Sequence, residues 1–140
     1  MSPPGRILDD PRFLDEALRW QRILARLDAE HDERADAVIA TDLRGIVVYW
    51  NAAAERLYGW SRDEVIGHAI TELTVGPEDE QVAERVMTAL RDAGRWEGDF
   101  WVRRKDGTRF LAHVADSMEP DAEGAPAVLV GVSRPAGGGG

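Results

Sequence analysis

The 140-residue chain has no cysteine and a single lysine, and no apolar run in it approaches the roughly 20 residues of a membrane-spanning helix. Without cysteine, neither disulfides nor thiolate metal sites are available. Positive charge is scarce too: 17 Lys and Arg stand against 26 Asp and Glu, a net charge of −9. That balance argues against nucleic acid as a partner, because phosphate binding needs a clustered positive face. The start MSPPGRILDD lacks the apolar segment of a signal peptide, so a cytoplasmic location without a membrane partner is expected. The imbalance of sixteen Arg to one Lys suggests a GC-rich bacterial genome more than a function. Catalytic signatures are missing as well, with no H-E-x-x-H, no phosphate-cradling glycine loop and no nucleophile elbow.

What is present centres on DAVIATDLRGIVVYWNAAAERLYGWSRDEVIGHAIT, residues 36–71. Ala37 to Thr41 reads as a strand, Asp42-Leu43-Arg44-Gly45 as a turn, and Ile46 to Trp50 as a second strand of β-branched and aromatic residues. Asn51 stops that strand and caps a helix beginning at Ala52. Gly59 ends the helix, Ser61 with Glu64 forms a capping box for another, and Gly67 closes it. Glu72 to Gly76 reads as irregular, and Pro77 to Ala93 as a helix with Val82, Val86, Ala89 and Leu90 on one face, stopped by Gly94. Its opening carboxylates Glu78, Asp79 and Glu80 read as a solvated first turn. Strands follow at about Trp96 to Arg104, Arg109 to Met118 and Ala127 to Ser133, the first two joined by a three-residue loop with Gly107 in a bulge. Five strands with three helices after the second give an antiparallel α+β domain.

Ahead of this lies a stretch from Arg12 to about Arg34 without Gly or Pro, opened by Asp10-Pro11. Phe13, Ala17, Trp20, Leu24, Leu27 and His31 recur at heptad spacing, and Leu14, Leu18 and Ile23 widen the seam. Such a helix would be roughly 34 Å long. It packs on its own domain, forms a dimer contact, or does both.

The strings TDLRGIVVYWNAAAERLYGWSRDEVIGHAI, WEGDFWVRRKDGTRF and VLVGVSR resemble, in order and spacing, successive parts of a PAS (Per-Arnt-Sim) domain. The resemblance covers about Ala35 to Arg134. It divides the chain into residues 1–34, an arm and amphipathic helix; 35–134, the PAS domain; and 135–140, a glycine-rich tail. It implies strand order 2-1-5-4-3 and an inner sheet face covered by the domain's own helices. Matching the strands to that pattern puts Ile39, Thr41, Val47, Tyr49, Phe100, Val102, Phe110, Ala112, Val114, Asp116, Leu129, Gly131 and Ser133 inside. Because IVVYW and AVLVGV are apolar in both registers, the outward set Val48, Trp50, Trp101, Leu111, Val130 and Val132 also needs a cover. The N-terminal helix, or a partner's copy of it, is the candidate.

The candidate ligand pocket consists of Ile39, Thr41, Tyr49, Ala54, Val86, Phe100, Val102, Ala112, Val114, Asp116, Leu129, Gly131 and Ser133. Small residues leave room there and a few polar groups orient a ligand; the alternative is that the helix Pro77 to Ala93 fills the space. Asp116 stands where an apolar residue is more usual in the family, and it either meets a ligand or accepts from loop amides. Replacing Ala112 or Gly131 with Leu is expected to abolish ligand retention while leaving the fold nearly intact. The cysteine of the photoactive LOV branch is missing. Haem relatives take an axial His from the helical side, whereas the helix Pro77 to Ala93 has none; His68 reads as a surface residue and His113 as a packing residue beside Trp101. Non-covalent flavin or a metabolite stays open, and no metal site is expected.

Dimer or capping candidates are Phe13, Ala17, Trp20, Leu24, Leu27, Trp50, Trp101, Leu111 and Val130. The resemblance implies a sensory and signal-transduction module, homodimeric, acting on an effector domain or protein outside this chain. A ligand-free interaction scaffold is the alternative, and a small α+β enzyme using Asp116 and Tyr49 as acid and base is a third reading.

Overall fold

A computed structural model describes residues 21–31, 36–121 and 123–136. Helix α1 (Gln21–His31) precedes strands β1 (Ala37–Thr41) and β2 (Val47–Trp50). Three short helices follow, α2 (Ala52–Tyr58), α3 (Arg62–Val65) and α4 (Ile70–Thr74). A 3-10 turn (Pro77–Asp79) then leads into α5 (Glu80–Ala93), and β3 (Arg95–Arg103), β4 (Arg109–Pro120) and β5 (Pro126–Pro135) complete the chain. All pairings are antiparallel and the sheet order is β2-β1-β5-β4-β3, as the resemblance implied.

Local chemistry explains the path into and out of β2. Asp42, fully buried, accepts from the backbone N–H groups of Arg44 and Ile46, both at 2.9 Å, and thereby closes the β1–β2 turn. Gly45 takes φ +90° there, a conformation that favours glycine. Asn51 accepts from Ala54 N–H at 2.9 Å as the N-cap of α2 and from Val38 N–H at 3.0 Å, while its amide donates to Asp36 C=O at 3.2 Å. One side chain thus joins a helix start to the neighbouring strand. The expected capping box of Ser61 and Glu64 is present, and the β3–β4 loop is the three-residue type, with Gly107 at φ +90°.

Three expectations need correction. Residues 70–74 form a helix where an irregular segment begins in the sequence reading, so four helices, not three, follow β2; Ala69 cannot cap with its side chain, which hid the helix start. Asp79 is not solvated: Arg109 donates to both its oxygens at 2.8 and 2.9 Å, burying it and holding its carboxyl below the usual range. The third concerns β2. Ala40 pairs with Tyr49 and Thr41 with Val47, so Val48 is an extra residue, and beyond it the strand reverses its faces. Trp50, expected outside, lies in the inner core against Tyr58, with ring centroids 5.6 Å apart. Tyr49, expected inside, lies outside.

The sheet therefore carries two cores. On the inner face Ala37, Val47, Trp50, Ala54, Tyr58, Val65, Val102 and Ala112 pack beneath α2 and α3, and Val86, Leu90 and Leu129 form a smaller group beneath α5. On the outer face Ile23 and Leu27 of α1 pack on Val38, Ala40, Val48, Tyr49, Val128 and Val130, with Leu24 beside them. Helix α1 thus covers the β2, β1 and β5 half of its own sheet. Phe13, Ala17 and Trp20 lie outside the described residues. Trp101, on edge strand β3, is 41 % exposed.

Candidate functional site

Beneath α5 the inner face does not close completely. A cavity of about 100 Å³ is bounded by Ile39 and Thr41 of β1, Phe100 and Val102 of β3, Val114 and Asp116 of β4, and Leu129, Gly131 and Ser133 of β5. Its helical wall is Tyr58, residues 70, 71, 74 and 75, and Ala83, Val86, Met87 and Leu90. Ten of the thirteen proposed pocket residues line it: Ile39, Thr41, Val86, Phe100, Val102, Val114, Asp116, Leu129, Gly131 and Ser133. Ala54 and Ala112 belong to the packed core instead, both fully buried. Ala112→Leu would consequently overpack that core rather than fill the cavity, and the expectation of a nearly intact fold does not hold for it.

Tyr49 is the clear misplacement. The Val48 bulge turns it to the outer face, where its hydroxyl donates to Leu27 C=O at 3.4 Å. An acid–base pair of Asp116 and Tyr49 would have the sheet between its members, so that arrangement is excluded. Tyr58 is the tyrosine of the cavity. Its hydroxyl shares a 2.9 Å hydrogen bond with Ser133, and burial pushes it up to about 12. It sits one helical turn beyond Ala54 on the same face of α2, a spacing that would have identified it.

Asp116 is the unusual group. It lies mid-strand, opposite Trp96 on one side and Gly131 on the other. A β-carbon at Gly131 would fall 2.3 Å from Asp116 Oδ1, so the absent side chain makes the room that the carboxyl occupies. No described residue donates a hydrogen bond or ion pair to it, and no loop amide reaches it. Burial pushes it up to about 7.

An open groove of about 540 Å³ adjoins the cavity and shares Ile70, Thr71, Val75, Ala83 and Met87 with it. Its rim mixes Arg44, Arg91 and Arg103 with Glu72, Glu80 and Glu84. His68 and His113 line neither space. His113, expected to pack, instead bridges two carboxylates on the outer face, Asp99 at 2.7 Å and Glu97 at 2.9 Å, which raise its pKa in that order. At about 100 Å³ the cavity is below the roughly 300 Å³ of typical small-molecule pockets. Among the described residues no cluster of His, Asp and Glu suits a metal ion, and no helix is long and apolar enough to cross a membrane.

A sheet in this order, with helices and a cavity on its inner face, defines a class, and the family model described as the PAS fold matches residues 25–136. The chain belongs to the PAS fold family. It resembles the crystal structure of a PAS domain from Colwellia psychrerythraea, with a TM-score of 0.70 and 29% identity over 81% of this chain and 96% of that one. The Rhodobacter sphaeroides LOV protein shares the fold, with a TM-score of 0.73 at 20% identity, covering 86% of this chain and 70% of that one. Among curated proteins, sensor protein FixL of Bradyrhizobium diazoefficiens is 30% identical over 115 residues, 77% of this chain. Two-component system protein A of Emericella nidulans is 33% identical over 79 residues, 56% of this chain. The chain spans 22% of the first of these relatives and 12% of the second.

Proposed function

We propose that this PAS domain is a sensory module in which a small molecule, held in the cavity beneath α5, changes how the sheet engages α1, and so regulates an effector domain or protein outside this chain. The similarity to a segment of a sensor protein and of a two-component system protein supports a signalling role. The observation that carries the reading is the alternation along β5. Leu129, Gly131 and Ser133 line the cavity, while Val128 and Val130 pack against Ile23 and Leu27 of α1. A ligand that displaces β5 is felt on the other face by the helix, because packed cores do not deform freely. The ligand need only bind one arrangement better than the other to shift the balance.

The working state is a homodimer in this reading. Trp101, exposed, stands opposite Leu111 in register on the part of the outer face that α1 leaves open, and a two-fold dimer would use the same patch on both chains. Val130 and Leu27, proposed for the same contact, are already buried within the chain, which leaves a smaller surface for a partner. Sedimentation of the wild type and of a Trp101→Glu, Leu111→Glu double variant tests this, the variant being expected to dissociate.

Native mass spectrometry of the purified protein, followed by hydrogen exchange of Gln21–His31 with and without any molecule found, tests the sensory reading. A ligand whose binding alters exchange in α1 supports it. No ligand from several expression hosts favours a ligand-free interaction scaffold, and binding that leaves α1 unchanged overturns the coupling to α1.

A further inference from the structure

Resting on the sensory reading above, we infer that the cavity selects a small organic cation of about four to six non-hydrogen atoms, an ammonium or amidinium group, held by Asp116. The size follows from the volume. At about 100 Å³ the space is smaller than the ~150 Å³ cavity that admits benzene.

The charge follows from where the hydroxyl hydrogens go. Thr41 donates its hydroxyl to Asp42 C=O at 2.9 Å, and Thr74 donates to Ile70 C=O at 3.1 Å. Each is left with only lone pairs to offer. Tyr58 and Ser133 spend one hydrogen on each other at 2.9 Å and keep a single spare one. Thr71 is exposed. Asp116 adds two more acceptor oxygens and, when ionised, the cavity's only charge. No Lys, Arg or His lines the space. A lining rich in acceptors and poor in donors is complementary to a ligand rich in donors and positive in charge.

Burial supports the same assignment. The carboxyl, pushed up to about 7 by desolvation, is partly protonated at neutral pH, and a cation beside it would restore the charged form. The balance is one carboxylic acid plus one cation giving an ion pair and one released proton. The only other titratable group lining the cavity is Tyr58 from α2, still protonated at neutral pH; α5 faces it with Val86, Met87 and Leu90, and β3 with Phe100 and Val102. Gly131 belongs to the device, since any larger residue would drive the carboxyl from its seat.

Three molecules of nearly one shape separate charge from fit: acetamidinium, acetamide and acetate. Calorimetric titration of the full chain with each at pH 7, in two buffers of different ionisation enthalpy, is the test, with amide chemical shifts of residues 114–116 and 129–133 locating the binding. The expected result is acetamidinium binding in the millimolar range or tighter, at least about tenfold better than acetamide, with proton release and no acetate binding. Asp116→Asn should abolish the preference and the proton release while its circular dichroism stays that of the wild type. If Asn disturbs the fold, the comparison of the three probes on the wild type decides alone. Acetamide or acetate binding as well as acetamidinium, with shifts in those strands, would overturn the cation assignment and leave the sensory cavity standing. Binding of none of the three would overturn the assignment, and hydrogen exchange in α1 with a copurified molecule would then judge the sensory reading separately.

Discussion

The two ends of the inner face treat polar side chains in opposite ways. Beneath α2, Asn51 accepts through its amide oxygen from the Val38 and Ala54 N–H groups and donates its amide to Asp36 C=O. Beneath α5, Asp116 has a carboxyl with no described partner, seated over a glycine and beside a cavity. The first end is complete without a ligand, as the dense packing of Trp50, Ala54, Tyr58 and Ala112 shows. The second holds a half-buried carboxyl that no described side chain pairs and that a ligand entering the cavity can meet. A buried polar group that the fold satisfies serves stability, and one that the fold leaves open is available to a ligand.

The largest effect should come from breaking the complete end. Asn51→Ala leaves the buried Val38 and Ala54 N–H groups without their partner and removes the bond to Asp36 C=O, at a cost of about 3 to 5 kcal/mol. Urea denaturation would show the midpoint collapse. Asp116 should behave in the opposite sense. Its carboxyl ionises near 3.8 when unfolded and near 7 when folded, so between those values the folded state holds the extra proton. Stability should therefore fall as pH rises from about 4 to about 7 and level off above, by up to about 4 kcal/mol. Asp116→Asn should remove that slope and be more stable than wild type at pH 8, which denaturation across this pH range would reveal.

Outside the inner face the effects shrink. Leu27→Ala opens a hole between α1 and β5 and should cost about 3 kcal/mol, with faster hydrogen exchange in Gln21–His31 as its signature. Trp101→Ser should change monomer stability by about 1 kcal/mol, since the ring is 41 % exposed and its one described partner is the Arg109 guanidinium 4.4 Å from its centroid. In sedimentation the same variant should weaken the proposed dimer, so a large effect there with a small one on denaturation separates association from folding.

Much of the fold was legible because its signals are local. Asn51, Gly59, the Ser61 and Glu64 box, Gly94 and Gly107 each mark an element end through their own geometry, and the structure has each of them in that role. Matching β4 and β5 to the family pattern likewise brought Asp116, Gly131 and Ser133 to one face. What escaped was non-local or lacked a marker. An extra residue in β2 leaves no trace in composition, yet it exchanged Tyr49 and Trp50 between faces. The Asp79–Arg109 pair joins residues thirty apart, and helix α4 begins without a capping side chain. Tyr58 lies in the helix that Gly59 ends, one turn beyond Ala54 and on the same face, yet it was left out of the pocket. The cavity itself could not be read, because it is the space left between α5 and four strands whose separation no single segment determines.

The central claim is that Asp116 is a desolvated carboxyl left unpaired by the protein for a ligand to complete. Carbon-13 NMR titration of its side-chain carboxyl measures this directly, first in the free protein and then with acetamidinium. The account predicts a midpoint near 7 that falls when the cation is present. A midpoint near the ordinary 3.8 in the free protein, unmoved by the cation, would contradict it.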